Sequence, residues 1–126
     1  MINSLRNIFN GWFPTVITAI AVAFLTLLPH YQIGFIIEPY DYLKHFSAYF
    51  ILGILMWIPC RDKFKDKSSF EIAISILVIL IVYGTVLEIG QYLSPGRTPK
   101  FLDAVSNVFG AVASQVLMVC MPKKTY

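Results

Sequence analysis

The stretch "IVYGTVLEIGQYL", residues 81–93, places a carboxylate, Glu88, well inside a run apolar enough to cross a membrane. Gln91, three residues on, is the one nearby residue that dilutes the hydrophobicity. On insertion scales a charged side chain costs ~2.5–3.5 kcal/mol at the centre of a membrane helix. Glu88 stands seven residues before Pro95, about 10 Å below the helix end at 1.5 Å per residue, and its short side chain does not reach the surface. It needs a partner, a proton or water.

Working outward, the whole chain shares the character of this stretch. Its 126 residues set one domain, 1–126, as the expectation. Hydrophobic residues make up 57% and charged residues 13%, against about 25% charged in soluble domains. There is too little polar surface to cover a globule in water. Net charge is +3, and the basic residues fall in short clusters between apolar runs. That pattern sets membrane orientation and argues against a nucleic-acid partner. Cys60 and Cys120 are isolated thiols without metal-ligand spacing, so neither a metal nor another cofactor is expected.

Four apolar segments, at about 12–28, 42–58, 70–93 and 102–121, approach the ~20 residues that a helix needs to cross ~30 Å of hydrocarbon. They lack the alternation of a barrel strand. The expected fold is therefore all-α, an integral membrane four-helix bundle, with Pro29 closing the first helix and Pro59 the second. A signal peptide fits the first segment poorly, because its small-residue patch lies inside the apolar run. Arg61, Lys63, Lys65 and Lys67 cluster after the second segment, and Lys123 and Lys124 end the chain, whereas residues 29–41 carry no Lys or Arg. Positive-inside logic puts both termini and the 60–69 loop in the cytoplasm. The loop holding Arg97 and Lys100 then faces outward as a local exception. Both cysteines fall at the reducing, cytoplasmic end.

Depth then sorts the polar residues. Asp41, Lys44 and His45 begin the second helix, Glu88 and Gln91 end the third, and Asp103 and Asn107 begin the fourth, just past Arg97. All lie toward the outer half, and the inner half reads as almost wholly apolar. Glu88 and Gln91 are three apart; Asp41 and His45, and Asp103 and Asn107, are four apart, spacings that share a helix face. Gly110 and Ser114 continue the Asp103–Asn107 face, and Gly84 precedes Glu88 by a turn. Small residues let helices approach closely in lipid, so the polar faces are expected to turn toward one another. Arg97, Lys44 and His45 are the candidate partners of Glu88.

A structural alternative stands beside this. Buried polar residues often do no more than join helices, at perhaps ~0.6 kcal/mol each. A lone Glu would deserve that reading; three carboxylates, a His, a Gln, an Asn and basic residues at one level favour a functional pocket. His30 reads as a loop residue. Tyr31, Tyr40, Tyr42, Tyr92, Trp12 and Trp57 read as an interfacial aromatic belt.

The segments "DYLKHFSAYFILG" (41–53) and "EIGQYLSPGRTPKFLDAVSNVFGA" (88–111) resemble the VanZ-like family of bacterial membrane proteins. The likeness covers the second, third and fourth helices. It rests on His-Phe-x-x-Tyr, Glu-x-x-Gln, an Arg, and Asp-x-x-x-Asn-x-x-Gly. The family's polar pattern falls on Asp41, His45, Tyr49, Glu88, Gln91, Arg97, Asp103, Asn107 and Gly110. Tyr42 stands where the family often has Lys, and Ser114 where it often has Gly. The resemblance implies a multi-pass protein of the bacterial cell membrane, and its namesake is linked to reduced susceptibility to the glycopeptide teicoplanin.

Two classes of function follow as expectations. One is a non-enzymatic envelope protein that binds a membrane lipid, a lipid-linked wall precursor or an amphiphile through Asp41, His45, Tyr49, Glu88, Gln91, Arg97, Asp103 and Asn107, between apolar walls for its chains. The other is a membrane enzyme acting on such a molecule, with His45 or Glu88 as general base, Asp41 orienting His45 and Arg97 stabilising phosphate charge. No nucleophile elbow, Cys–His pattern or zinc triad is present to favour it. Proton-coupled transport ranks third, because an apolar inner half offers no path. So small a bundle leaves room for a homodimer.

Overall fold

The fold was obtained as a computed structural model, which describes residues 2–27, 41–93 and 101–122, apart from the side chains of residues 3, 4, 6–10 and 41. Four helices follow in order: α1 (Ile2–Leu27), α2 (Asp41–Lys63), α3 (Ser69–Tyr92) and α4 (Phe101–Cys120). The described residues contain no strand. The all-α bundle expected from the sequence is what forms.

Among the described residues, three helices are long and apolar enough to cross a membrane: Tyr42–Lys63, Ser69–Tyr92 and Phe101–Cys120. The apolar part of α1, Gly11–Leu27, is shorter. It rises about 26 Å, at the low end of what spans a bilayer. The outer surface is apolar, with Ile20 and Phe24 of α1, Val82 and Val86 of α3, and Val116 of α4 each more than half exposed. Such a continuous apolar exterior suits lipid rather than water.

The buried stripes differ in kind. On α3 they are Ile72, Ala73, Ile76, Leu80, Gly84, Leu87 and Gln91, one face of a helix at steps of three and four. On α4 they are Asp103, Asn107, Gly110, Ala111, Ser114 and Gln115, all polar or small. The inner half is therefore less apolar than the sequence suggests: Gln115 is buried there and donates to the Gly53 carbonyl at 3.3 Å and to Ser114 Oγ at 3.0 Å. Small residues in turn bring α2 and α4 into close contact. A Cβ on Gly110 would collide with the backbone of Phe46, whose carbonyl carbon would lie at 3.0 Å, and one on Gly53 would lie 2.8 Å from Ser114 Cβ.

Pro59 does not end α2, which runs on to Lys63. Proline lacks the N–H that would bond to the carbonyl four residues earlier. That carbonyl belongs to Leu55, and Thr15 Oγ1 of α1 donates to it at 3.0 Å. Beside this bond, Gly11 packs on the proline ring, where an added Cβ would sit 3.4 Å from Pro59 Cβ. In lipid every backbone group must find such a partner. α1 also begins earlier than expected, at Ile2, and carries Pro14 inside the helix. Trp57 is buried in the core with Tyr49, Met56 and Ile76 instead of joining an interfacial belt, whereas Tyr92 is three-quarters exposed.

At the turn between α2 and α3 a capping box starts the third helix. Ser68 Oγ accepts from Glu71 N at 3.1 Å, and Ser68 N donates to Glu71 Oε2 at 3.0 Å. Arg61 donates to Ser69 Oγ at 3.1 Å across the same turn.

Thr15→Val should leave the Leu55 carbonyl without its donor and destabilise the bundle by ~1–3 kcal/mol, whereas Thr15→Ser should hold most of the stability. Unfolding in detergent followed by circular dichroism reads both. Equal stability of the two variants would show that the proline break needs no donor from α1.

Candidate functional site

The cluster stands at the end of the bundle where α2 and α4 begin and α3 finishes. His45 projects from the second turn of α2 toward α4. Its Nδ1 lies 2.9 Å from Asn107 Oδ1, and its Nε2 lies 3.6 Å from Asp103 Oδ2. The first is a good hydrogen-bond length; the second is an ion-pair distance only. Asn107 reaches onward to α3, where Nδ2 donates to Glu88 Oε1 at 3.4 Å, a long bond. Three helices are thus joined by one polar chain, Asp103–His45–Asn107–Glu88.

The chain has a direction. With its NH2 toward the Glu88 carboxylate, Asn107 presents its carbonyl to His45, so Nδ1 donates. The other ring nitrogen faces the Asp103 carboxylate. Oxygen acceptors therefore flank the ring on both sides. Desolvation makes this matter, because the side chains of His45 and Asp103 are only 11% and 7% exposed.

The expected pocket residues separate into three groups. His45, Glu88, Asp103 and Asn107 come together as the sequence suggests. Tyr49 is buried one turn along from His45, with its hydroxyl 3.1 Å from where a Cβ on Gly84 would stand and its ring 6.1 Å from that of Tyr83. Gln91 turns elsewhere: its Nε2 donates to the Thr26 carbonyl at 3.1 Å. That bond ties the end of α3 to α1 rather than to the cluster. Lys44 is exposed. Arg97 and the side chain of Asp41 lie outside the described residues, as do Tyr31 and Tyr40.

Beside the chain, a groove of about 140 Å³ runs between α3 and α4. Leu80, Ile81, Val108 and Ala111 form apolar walls, and Glu88 and Asn107 supply the polar end. Ile81 and Val108 are both more than a third exposed, so the groove opens on the apolar flank of the bundle. The sequence reading located the polar end but not these walls, which come from facing residues on two helices. Among the described residues no three His, Cys, Asp or Glu side chains gather as metal ligands.

An apolar exterior around three helices of spanning length, with polar residues gathered inside, marks a helical membrane protein. No protein-family model matches the chain, and no curated protein or solved structure matches it.

If the polar chain is one cooperative unit, its losses should not add. Asn107→Leu and His45→Phe should each cost ~1–3 kcal/mol by orphaning buried partners. Together they should cost at least ~0.5 kcal/mol less than their sum. Unfolding of the three variants in one detergent gives the cycle, and strict additivity would mean that His45 and Asn107 act separately.

Proposed function

We propose that the chain is a VanZ-like membrane protein that holds an amphiphile at the outer face of the bilayer, its polar part at the His45–Asn107–Glu88 cluster. The observation that carries this reading is the groove: apolar walls open to the bilayer side, closing on a carboxylate and an amide. Its 140 Å³ is close to the ~150 Å³ of an apolar cavity that takes up benzene. That is room for a segment of one hydrocarbon chain, with the rest lying along exposed Ile81, Val82 and Val108. A membrane lipid or lipid-linked wall precursor has this form, and sequestering one would alter glycopeptide susceptibility at the outer surface. The motif resemblance supports the same reading through His45, Tyr49, Glu88, Asp103, Asn107 and Gly110.

The enzymatic alternative draws on the same acid–base groups. Both ring nitrogens of His45 face protein oxygens, so Glu88, which lines the groove, would have to be the base.

A photoactivatable single-chain amphiphile in proteoliposomes should label residues 80–88 and 104–111, and Ala104→Phe, which fills the groove from a half-buried position, should remove that labelling. Labelling spread evenly over all four helices and unchanged by Ala104→Phe would contradict the reading. In cells, the same variant should lose any shift in teicoplanin susceptibility that the chain confers.

Orientation has its own test. Cys60 is buried and Cys120 exposed, so Cys120 is the informative thiol. An impermeant maleimide added to intact cells should spare it and should label it after permeabilisation. Labelling in intact cells would turn the cluster to the cytoplasmic side.

A further inference from the structure

Asn107 stands between an acid and a base. One end of its amide meets Glu88 Oε1 at 3.4 Å, the other meets His45 Nδ1 at 2.9 Å, and the far ring nitrogen faces Asp103 Oδ2 at 3.6 Å. A primary amide donates at one end and accepts at the other. Its two orientations therefore demand different protons of its neighbours.

With the NH2 toward Glu88, that carboxylate is ionised, Nδ1 of His45 carries a proton, and Nε2 carries the second against Asp103. With the amide turned by half a rotation, its carbonyl accepts from a protonated Glu88, and its NH2 donates to a bare Nδ1. The ring is then the neutral Nε2–H tautomer, still facing Asp103. The non-hydrogen atoms occupy the same places in both arrangements. The four groups hold the same number of protons and the same net charge in each.

We propose that Asn107 couples His45 and Glu88 as a proton-exchange pair. The Nδ1–H bond of His45 breaks as the Asn107 amide oxygen takes the proton, the amide makes its half rotation, and that oxygen hands the proton to the Glu88 carboxylate, forming its O–H bond and restoring the neutral amide, while Asp103 stays ionised throughout. Glu88, the carboxylate that lines the groove, thereby changes its protonation with no change in the net charge of the four groups. The exchange follows from the cluster's geometry and does not require the groove to be occupied. Among the described residues, the other titratable groups near the pair are Asp103 from α4, Tyr49 from α2 and Tyr83 from α3. Lys44, next to His45 in the chain, is exposed, and the Asp41 side chain and residues 94–100 lie outside the described residues.

The full chain in lipid bilayers supplies the test, in a His30→Gln background that leaves His45 as the one imidazole of the chain's two. Histidine ¹⁵N shifts report the neutral fraction of His45. The carboxylic C=O stretch that disappears in Glu88→Gln reports the protonated fraction of Glu88. Independent titration moves these fractions in opposite directions as pH changes. Exchange within the pair moves them in the same direction, by equal amounts, when temperature is stepped at fixed pH. Equal and parallel changes are expected, and Asn107→Leu should abolish the correlation. One fraction changing alone, both changing in opposite directions, or neither changing overturns the proposal. So does a correlation that survives in Asn107→Leu; should that variant fail to insert, the result with Asn107 in place decides.

Discussion

The structure turns on the close approach of α2 and α4. Gly110 leaves space that the Phe46 backbone fills, and Gly53 does the same for Ser114 one layer further in. His45 is next to Phe46 and Asn107 is one turn before Gly110, so the contact that packs the helices also brings the imidazole to the amide. In lipid, packing of this kind replaces the hydrophobic effect as the force between helices. A methyl group on Gly110 would push the Phe46 backbone away and carry His45 with it. Site and scaffold are one contact at this level.

Around that contact the bundle satisfies most of its buried polar groups between helices, Gln115 Oε1 being one left without a hydrogen bond, and turns much of its apolar surface outward. α1 does much of this work at helix breaks and ends. Thr15 supplies the donor that Pro59 removes from Leu55, Thr26 receives Gln91 from α3, and Tyr83 of α3 donates to the Ala19 carbonyl. Hydroxyls on the outer faces return to their own helices, as Thr85 does to Ile81 and Ser106 to Leu102, both at 2.8 Å. This is how a polar side chain is carried at a lipid-facing position without an unmet hydrogen bond. The polar chain Asp103–His45–Asn107–Glu88 is the part of this economy that opens toward a groove.

Much of the site was legible because helical spacing reports faces directly. Asp103, Asn107, Gly110 and Ser114 recur at three and four, and all are buried on α4. Glu88 could be placed by depth alone. The misreadings have local causes. Gln91 follows Glu88 by three residues, which leaves the two about 60° apart around the helix. On α3, wedged between α1 and α4, that angle sends Glu88 to one neighbour and Gln91 to the other. Where α2 continues through Pro59, the freed Leu55 carbonyl is met by a threonine forty residues away, which no local rule reveals. Gln115 lies outside the Asp103 face by one residue, and its place opposite Gly53 is set by helix crossing. Trp57 sits at a depth that suits a belt, but it faces the core.

The central claim is that α2 and α4 close directly on one another, with the base of one held by the amide of the other. A magic-angle-spinning measurement of dipolar coupling between the imidazole ¹⁵N of His45 and the side-chain ¹³Cγ of Asn107, in lipid bilayers, tests it most directly. The 2.9 Å contact between Nδ1 and Oδ1 predicts the strong dephasing of atoms joined across a single hydrogen bond. Absence of dephasing, with the chain inserted and helical, would contradict the arrangement on which the fold and the site both depend.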